Sequence, residues 1–160
     1  MELSNDIIKI VPGRDKCIMD KLKIFAVYLL VLLWFYTGLD KLVFYHSYWI
    51  AMHYQIFSQQ ILTIAIPVLP FLEIAIGLLL IFPKSESLGF LLSFLLMTFF
   101  SAYAALVYFG YFVSRPCACA GLFTKLSWGS HLMINLLITL VALFGMIINR
   151  HRGKEVEKRF

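Results

Sequence analysis

Four apolar runs, each long enough to cross a lipid bilayer, dominate the sequence. They cover residues 24–45, 61–82, 88–113 and 128–148. A helix needs about 20 mostly apolar residues to cross ~30 Å of hydrocarbon, so each run predicts one membrane-spanning helix. Because the connections between the runs are short, the sequence predicts an all-α membrane protein, a bundle of four transmembrane helices in a single domain.

The composition excludes the main alternatives to a membrane protein. Hydrophobic residues make up 61% of the chain and charged residues only 14%, against ~45–50% and ~25% in soluble domains. A chain this apolar neither folds as a soluble domain nor stays disordered in water. The net charge of +5 does not indicate nucleic-acid binding, because the basic residues lie mostly at the two chain ends.

The distribution of basic residues predicts the orientation in the membrane. Eleven of the fourteen Lys and Arg residues lie in an N-terminal segment, 1–23, in the connection at Lys84, or in a basic tail, 150–160. Since Lys and Arg concentrate on the cytoplasmic side, both termini are expected in the cytoplasm of a bacterium and the membrane domain, 24–149, in its inner membrane. The two remaining loops then face the periplasm.

The two outward loops differ in composition. The first, 46–60, mixes aromatic and polar residues and predicts a short interfacial segment. The second, 114–126, contains two cysteines separated by one residue, Cys117 and Cys119. Disulfides form and persist in the periplasm, so this loop is the first candidate for chemistry. The third cysteine, Cys17, lies in the cytoplasmic segment and is expected to be an inert thiol.

The spacing of Cys117 and Cys119 favours a reactive pair. A bridge across one intervening residue closes a very small ring, and the resulting strain makes the bond easy to reduce. Arg115, Lys125 and the amino end of the next helix, which is expected to be capped by Ser127 or Ser130, all favour the thiolate form. Three interpretations stay open: thiol–disulfide exchange, a disulfide that shapes the loop, and binding of a soft metal such as copper(I). Zinc is disfavoured because a second pair of ligands is missing.

Ionisable residues inside the apolar runs form a second set of candidates. Glu73 lies deep in the second run, where a carboxylate needs a partner or a function. Lys41, at the outer end of the first run, is its nearest candidate partner, and Asp40 lies beside it. Two roles remain open for Glu73: structural pairing within the bundle, or a role linked to proton transfer or to a membrane quinone. The sequence does not identify a cofactor, although a quinone stays open.

A polar stripe marks the fourth run. Ser127, His131, Asn135 and Thr139 follow one another at intervals of four and therefore share one face of the helix. The stripe predicts either interhelical hydrogen bonds or a polar path from the cysteine loop toward Glu73, along which His131 transfers protons.

Several of these residues form motifs that resemble a known family. The segments GLDK (38–41), PFLE (70–73) and GLL (77–79) resemble the signatures of DoxX-like membrane proteins. The cysteine segment CACAG (117–121) and the SWGSH segment (127–131) are similar to the MauE branch. The resemblance implies a four-helix inner-membrane protein associated with redox chemistry and with the maturation of disulfide-containing periplasmic proteins, alongside a thioredoxin-like partner.

Two functions from different classes follow. The first is periplasmic thiol–disulfide chemistry, with Cys117 and Cys119 as the redox pair and Glu73, His131 and Asn135 shaping the interior behind them. The second is a non-enzymatic anchor or accessory subunit of a larger envelope complex, with structural cysteines. A small metal or solute carrier, based on Glu73 and the histidines, is the weakest interpretation.

Overall fold

The structure, a computed structural model, describes residues 12–55, 57–111 and 127–157 of the 160-residue chain. All regular secondary structure in these ranges is helical. The described residues contain five helices: α1 (Pro12–Val43), α2 (Tyr45–His53), α3 (Gln59–Ile81), α4 (Glu86–Tyr108) and α5 (Trp128–Glu157).

Four of the helices are long and apolar enough to span a membrane, which confirms the fold class. The candidate spans are Cys17–Val43, Gln59–Ile81, Glu86–Tyr108 and Trp128–Arg150. Their outward faces carry large exposed hydrophobic side chains such as Leu32, which is 70% exposed. Such a surface is stable in lipid and not in water, so the protein is a multi-pass membrane protein surrounded by a bilayer.

The short helix α2 occupies the position of the predicted interfacial segment. It follows α1 after a turn at Phe44 and packs against the beginning of α3. Its buried residues Tyr48 and Met52 form a small core with Leu62 and Ile66. The segment is therefore fixed to the bundle through its own apolar contacts.

The long helices form two hairpins that pack side by side. In the first hairpin α1 packs on α3, and in the second α4 packs on α5; α3 also contacts α4, and α5 contacts α1. The shared core contains Leu30, Trp34, Leu80 and Phe90, each at most 2% exposed. The indole N–H of Trp34 donates to the Ser93 hydroxyl at 2.9 Å and joins the two hairpins.

The observed helix ends differ from the predicted span boundaries. α4 ends at Tyr108, before the predicted Val113, because Gly110 adopts a φ of 78°. The N–H groups of Gly110 and Tyr111 donate to the carbonyls of Val107 and Leu106 at 3.1 Å each. This is a Schellman motif, in which a left-handed glycine terminates the helix and satisfies its last carbonyls.

The start of α1 and the end of α5 lie at the same end of the bundle. Lys23 on α1 forms an ion pair with Glu86 on α4 at 2.8 Å and donates to the Asn149 side chain on α5 at 3.2 Å. The predicted cytoplasmic location of this end remains a prediction.

Candidate functional site: a cavity with buried ionisable groups

A cavity of about 220 Å³ lies among the helices, and all five helices contribute to its walls. Most of its lining is apolar. The lining side chains with nitrogen or oxygen atoms are Trp34, Thr37, Lys41, Gln55, Glu73, Tyr103, Trp128, His131 and Asn135. The structure thus brings together four of the supporting residues expected from the sequence, namely Lys41, Glu73, His131 and Asn135. Asp40 is half-buried and does not line this cavity.

A buried ion pair forms one wall of the cavity. Lys41 Nζ lies 2.8 Å from both carboxylate oxygens of Glu73 and 3.3 Å from the carbonyl oxygen of Thr37. Lys41 is 4% exposed and Glu73 is fully buried. The pairing expected from the sequence is therefore present. Its desolvation is costly, and only the close geometry and the additional hydrogen bond to Thr37 offset that cost.

Gly38, about one helical turn before Lys41, lets α1 and α3 approach closely enough for this pairing. A Cβ atom at Gly38 would lie 2.8 Å from Cγ1 of Ile74 and 3.0 Å from the carbonyl oxygen of Pro70. A side chain there would separate α1 from α3. The motif residues Gly38, Lys41, Pro70 and Glu73 thus meet at one helix crossing, where close backbone approach brings the ammonium to the carboxylate.

Tyr48 on α2 lies against the ion pair. Its ring centroid is 6.0 Å from Lys41 Nζ, at the limit of a cation–π contact. Among the described residues, the buried hydroxyl of Tyr48 has no hydrogen-bond partner. Burial, with a further contribution from the charge of Glu73, raises the pKa of the Tyr48 phenol above its usual value. The phenol therefore stays neutral beside the ion pair.

The first turns of α5 form another part of the wall. Trp128, His131 and Asn135 line the cavity there. His131 is 4% exposed, and its ring centroid lies 5.8 Å from that of Trp128. Ser127 accepts a hydrogen bond from the Ser130 N–H at 3.2 Å and so caps the helix. The predicted capping and the predicted inward position of His131 are both confirmed.

The polar stripe of α5 divides between two roles. His131 and Asn135 line the cavity. Thr139 instead lies 3.2 Å from the Ser101 hydroxyl on α4 and 2.7 Å from the Asn135 carbonyl oxygen, and Ser101 lies 2.8 Å from the Met97 carbonyl oxygen. Each hydroxyl has one proton, so one donates across the two helices and the other donates to its own helix carbonyl. The interhelical hydrogen bond predicted for the stripe is thus present one turn beyond Asn135.

The sequence pattern did not indicate Gln55 and Tyr103, which also line the cavity. The Tyr103 hydroxyl on α4 donates to Oε1 of Gln55, which follows α2, and Gln55 Nε2 donates to the Ala51 carbonyl at 2.8 Å. Gln55 is 8% exposed. Its position in a loop of mixed aromatic and polar residues gave no periodic signal that would distinguish it from surface residues.

Cys117 and Cys119 lie outside the described residues, as do Arg115 and Lys125. The connection that contains them begins after Tyr111, beyond the end of α4, and ends before Ser127, at the start of α5. Within the described residues no group of three His, Cys, Asp or Glu side chains is arranged to hold a metal ion. Cys17, on α1, is exposed and free.

The family model described as methylamine utilisation protein MauE matches residues 19–148. The match covers more than half of the chain and includes two spans completely, the other two except for their outermost residues, the ion pair and the cysteine connection. The chain belongs to the MauE family. No curated protein and no solved structure matched it. In this MauE-family protein, both walls of the cavity come from the matched segment.

Proposed function

We propose that this MauE-family protein takes part in thiol–disulfide exchange during the maturation of envelope proteins, with Cys117 and Cys119 as the redox pair. The bacterial inner membrane is the proposed location, with the cysteine connection in the periplasm. A thioredoxin-like periplasmic protein is the proposed partner. The family description supplies the setting, methylamine utilisation.

The observation that supports this proposal most strongly is the cavity with ionisable groups in its wall. A bundle that served only as an anchor gains stability from a filled apolar interior, because buried ions and unfilled volume both reduce stability. This bundle instead keeps a buried Lys41–Glu73 pair and a buried His131 around a cavity of about 220 Å³. Ionisable groups in such a position indicate a functional site.

The beginning of α5 supports the choice of the cysteine pair. Ser127 caps this helix directly after the connection, so the positive end of the helix dipole lies beside the segment that contains the cysteines. A positive potential stabilises thiolate, the form that attacks disulfides. Trp128 and His131 connect the same helix end to the cavity.

The proposed reaction is an exchange of one disulfide for another. A thiolate of the partner attacks the Cys117–Cys119 bridge, an S–S bond forms between the proteins, and the original bridge opens. The second partner thiolate then attacks the mixed disulfide and releases Cys117 and Cys119 as a dithiol. Two electrons pass from the partner to the pair, and the partner leaves with a new disulfide.

The test is to trap the mixed disulfide in cells. A Cys119→Ser or Cys117→Ser variant keeps one thiol, which can attack the disulfide of the oxidised partner but cannot complete the exchange, so a covalent complex with the partner should form and disappear on reduction. Cys17→Ser is the matched control and should leave the pattern of complexes unchanged. If the double variant Cys117→Ser/Cys119→Ser supports full maturation of envelope proteins, the exchange function is wrong and the protein is an accessory subunit.

A further inference from the structure

We infer that the cavity binds the ring of a membrane-soluble benzoquinone, with the apolar tail of that molecule remaining in the bilayer. This inference deepens the proposed function and rests on it for the source of electrons. The binding site itself consists only of described residues.

The volume of the cavity fits one substituted ring. An engineered protein cavity of about 150 Å³ lined by apolar side chains accommodates benzene. The cavity in this bundle measures about 220 Å³, which adds room for small substituents on a six-membered ring. Its walls include the aromatic side chains of Trp34, Phe100 and Tyr103, which stack favourably on a flat ring.

The wall formed by α5 presents hydrogen-bond donors that no protein group uses. Within the described residues, the Asn135 side-chain amide and the Trp128 indole N–H have no protein hydrogen-bond partner, and both side chains line the cavity. Donors in an apolar cavity favour a ligand with acceptor oxygens, because a purely apolar occupant would leave them unsatisfied. A lipid acyl chain offers no acceptor along its length, whereas a quinone carries two carbonyl oxygens.

A further part of the wall carries charge. The Lys41–Glu73 pair on α1 and α3 lines the same cavity as Asn135 and Trp128. The Lys41 ammonium already donates to both Glu73 oxygens and to the Thr37 carbonyl, so it supplies positive charge, while the donors on α5 bind the oxygens of the ring. An electropositive ammonium near a carbonyl oxygen also favours the negative charge that develops when the ring is reduced.

A bound quinone can oxidise the dithiol that the proposed exchange leaves behind. The Cys117–Cys119 dithiol forms one S–S bond and gives up two electrons and two protons. The quinone accepts both electrons and both protons on its two oxygens and becomes a quinol. The pair is then oxidised again and ready for the next partner dithiol.

Binding can be measured with ubiquinone-1 as the probe and the full chain in lipid nanodiscs. Trp34 and Trp128 line the cavity, whereas Trp49 does not, so bound quinone should quench tryptophan fluorescence in a saturable way. Asn135→Leu removes the donors at nearly constant volume and should weaken binding about tenfold, the loss expected for one hydrogen bond.

A pair of alanines on α4 provides the volume test and its control. Ala104 is 3% exposed and lines the cavity, while Ala102 is exposed on the outer face of the helix. Ala104→Phe should abolish saturable quenching, and Ala102→Phe should bind ubiquinone-1 like the unmodified protein. Quenching that stays linear with quinone concentration, or that is equal in the Ala104→Phe, Asn135→Leu and unmodified proteins, would show quinone dissolved in lipid and overturn the inference.

The double variant Cys117→Ser/Cys119→Ser separates the two proposals. It should bind ubiquinone-1 with unchanged affinity, because the site does not include the cysteines. Mixed disulfides without saturable quinone binding would overturn the quinone site and leave the exchange function in place. Saturable binding without any mixed disulfide would overturn the exchange function and leave the quinone site established without an electron source.

Discussion

Two ion pairs of equal length lie in very different parts of the bundle. Lys41–Glu73 and Lys23–Glu86 both measure 2.8 Å. The side chains of the first pair are 5% and 1% exposed, and those of the second are 13% and 10% exposed. The second lies at the bundle end, where Lys23 also contacts Asn149. The first lies inside the spans, beside a cavity.

The comparison shows that distance alone does not give the role of an ion pair. At the bundle end, polar headgroups and water can solvate a charge that loses its partner, so the pair contributes little net stability. Within the spans no solvent replaces the partner, so each charge depends on the other. We therefore interpret Lys23–Glu86 as a contact between helix ends and Lys41–Glu73 as part of the functional site.

The largest effect is expected for removal of the buried carboxylate. Glu73→Ala leaves the Lys41 ammonium buried and unpaired and should destabilise the bundle by ~3–5 kcal/mol. The double variant Lys41→Met/Glu73→Leu removes both charges and should recover most of this loss. The measurement is reversible unfolding in detergent micelles. A Glu73→Ala protein as stable as the unmodified one would show that the two pairs do not differ.

A smaller effect is expected at the helix crossing that brings Lys41 to Glu73. Gly38→Val places methyl groups against Ile74 and the Pro70 carbonyl and should cost ~1–3 kcal/mol. Leu39→Val, on the exposed neighbour, is the control and should be nearly neutral. Unfolding in the same micelles compares the two, and equal stabilities would contradict the close approach of α1 and α3.

Loss of the α5 cap should cost about 1 kcal/mol. Ser127→Ala removes the acceptor of the Ser130 N–H, whereas Ser127→Asp keeps an acceptor and adds a charge that suits the helix dipole. Amide hydrogen exchange of Ser130 should be faster in the alanine variant only. Equal exchange in both variants would show that the cap does not fix this end of the cavity.

The smallest effect is expected for the pair at the bundle end. Glu86→Ala should cost less than ~1 kcal/mol, because Lys23 keeps its hydrogen bond to Asn149 and lies near the aqueous boundary. The same unfolding experiment applies. A loss as large as that of Glu73→Ala would mean that both ends of the bundle are equally desolvated.

The sequence alone predicts the features that depend on a local residue pattern or on the large free-energy cost of an unpaired charge in lipid. The four spans follow from apolar length, the Ser127 cap from helix-start chemistry, and the Lys41–Glu73 pair from the cost of an isolated charge in lipid. Each is present in the structure. These features require no knowledge of which helices are neighbours.

Features that depend on three-dimensional packing were not predictable in this way. The apolar run continues past Gly110 to Val113, and only the left-handed conformation of Gly110 shows that this glycine ends α4 at Tyr108. Helix α1 begins at Pro12, well before its apolar run, because helical backbone continues through charged residues that the span pattern ignores. The contact of Gln55 with Tyr103 depends on how α2 folds over the cavity.

The most direct test of the account is the redox state of the Cys117–Cys119 pair in living cells when the cavity is filled. Acid quenching followed by thiol alkylation measures the oxidised fraction in the unmodified protein and in the Ala104→Phe and Ala102→Phe variants. If a quinone bound in the cavity re-oxidises the pair, the Ala104→Phe protein should accumulate the dithiol, while the other two proteins remain mainly oxidised. Equal oxidised fractions in all three proteins would contradict the link between the cavity and the cysteines.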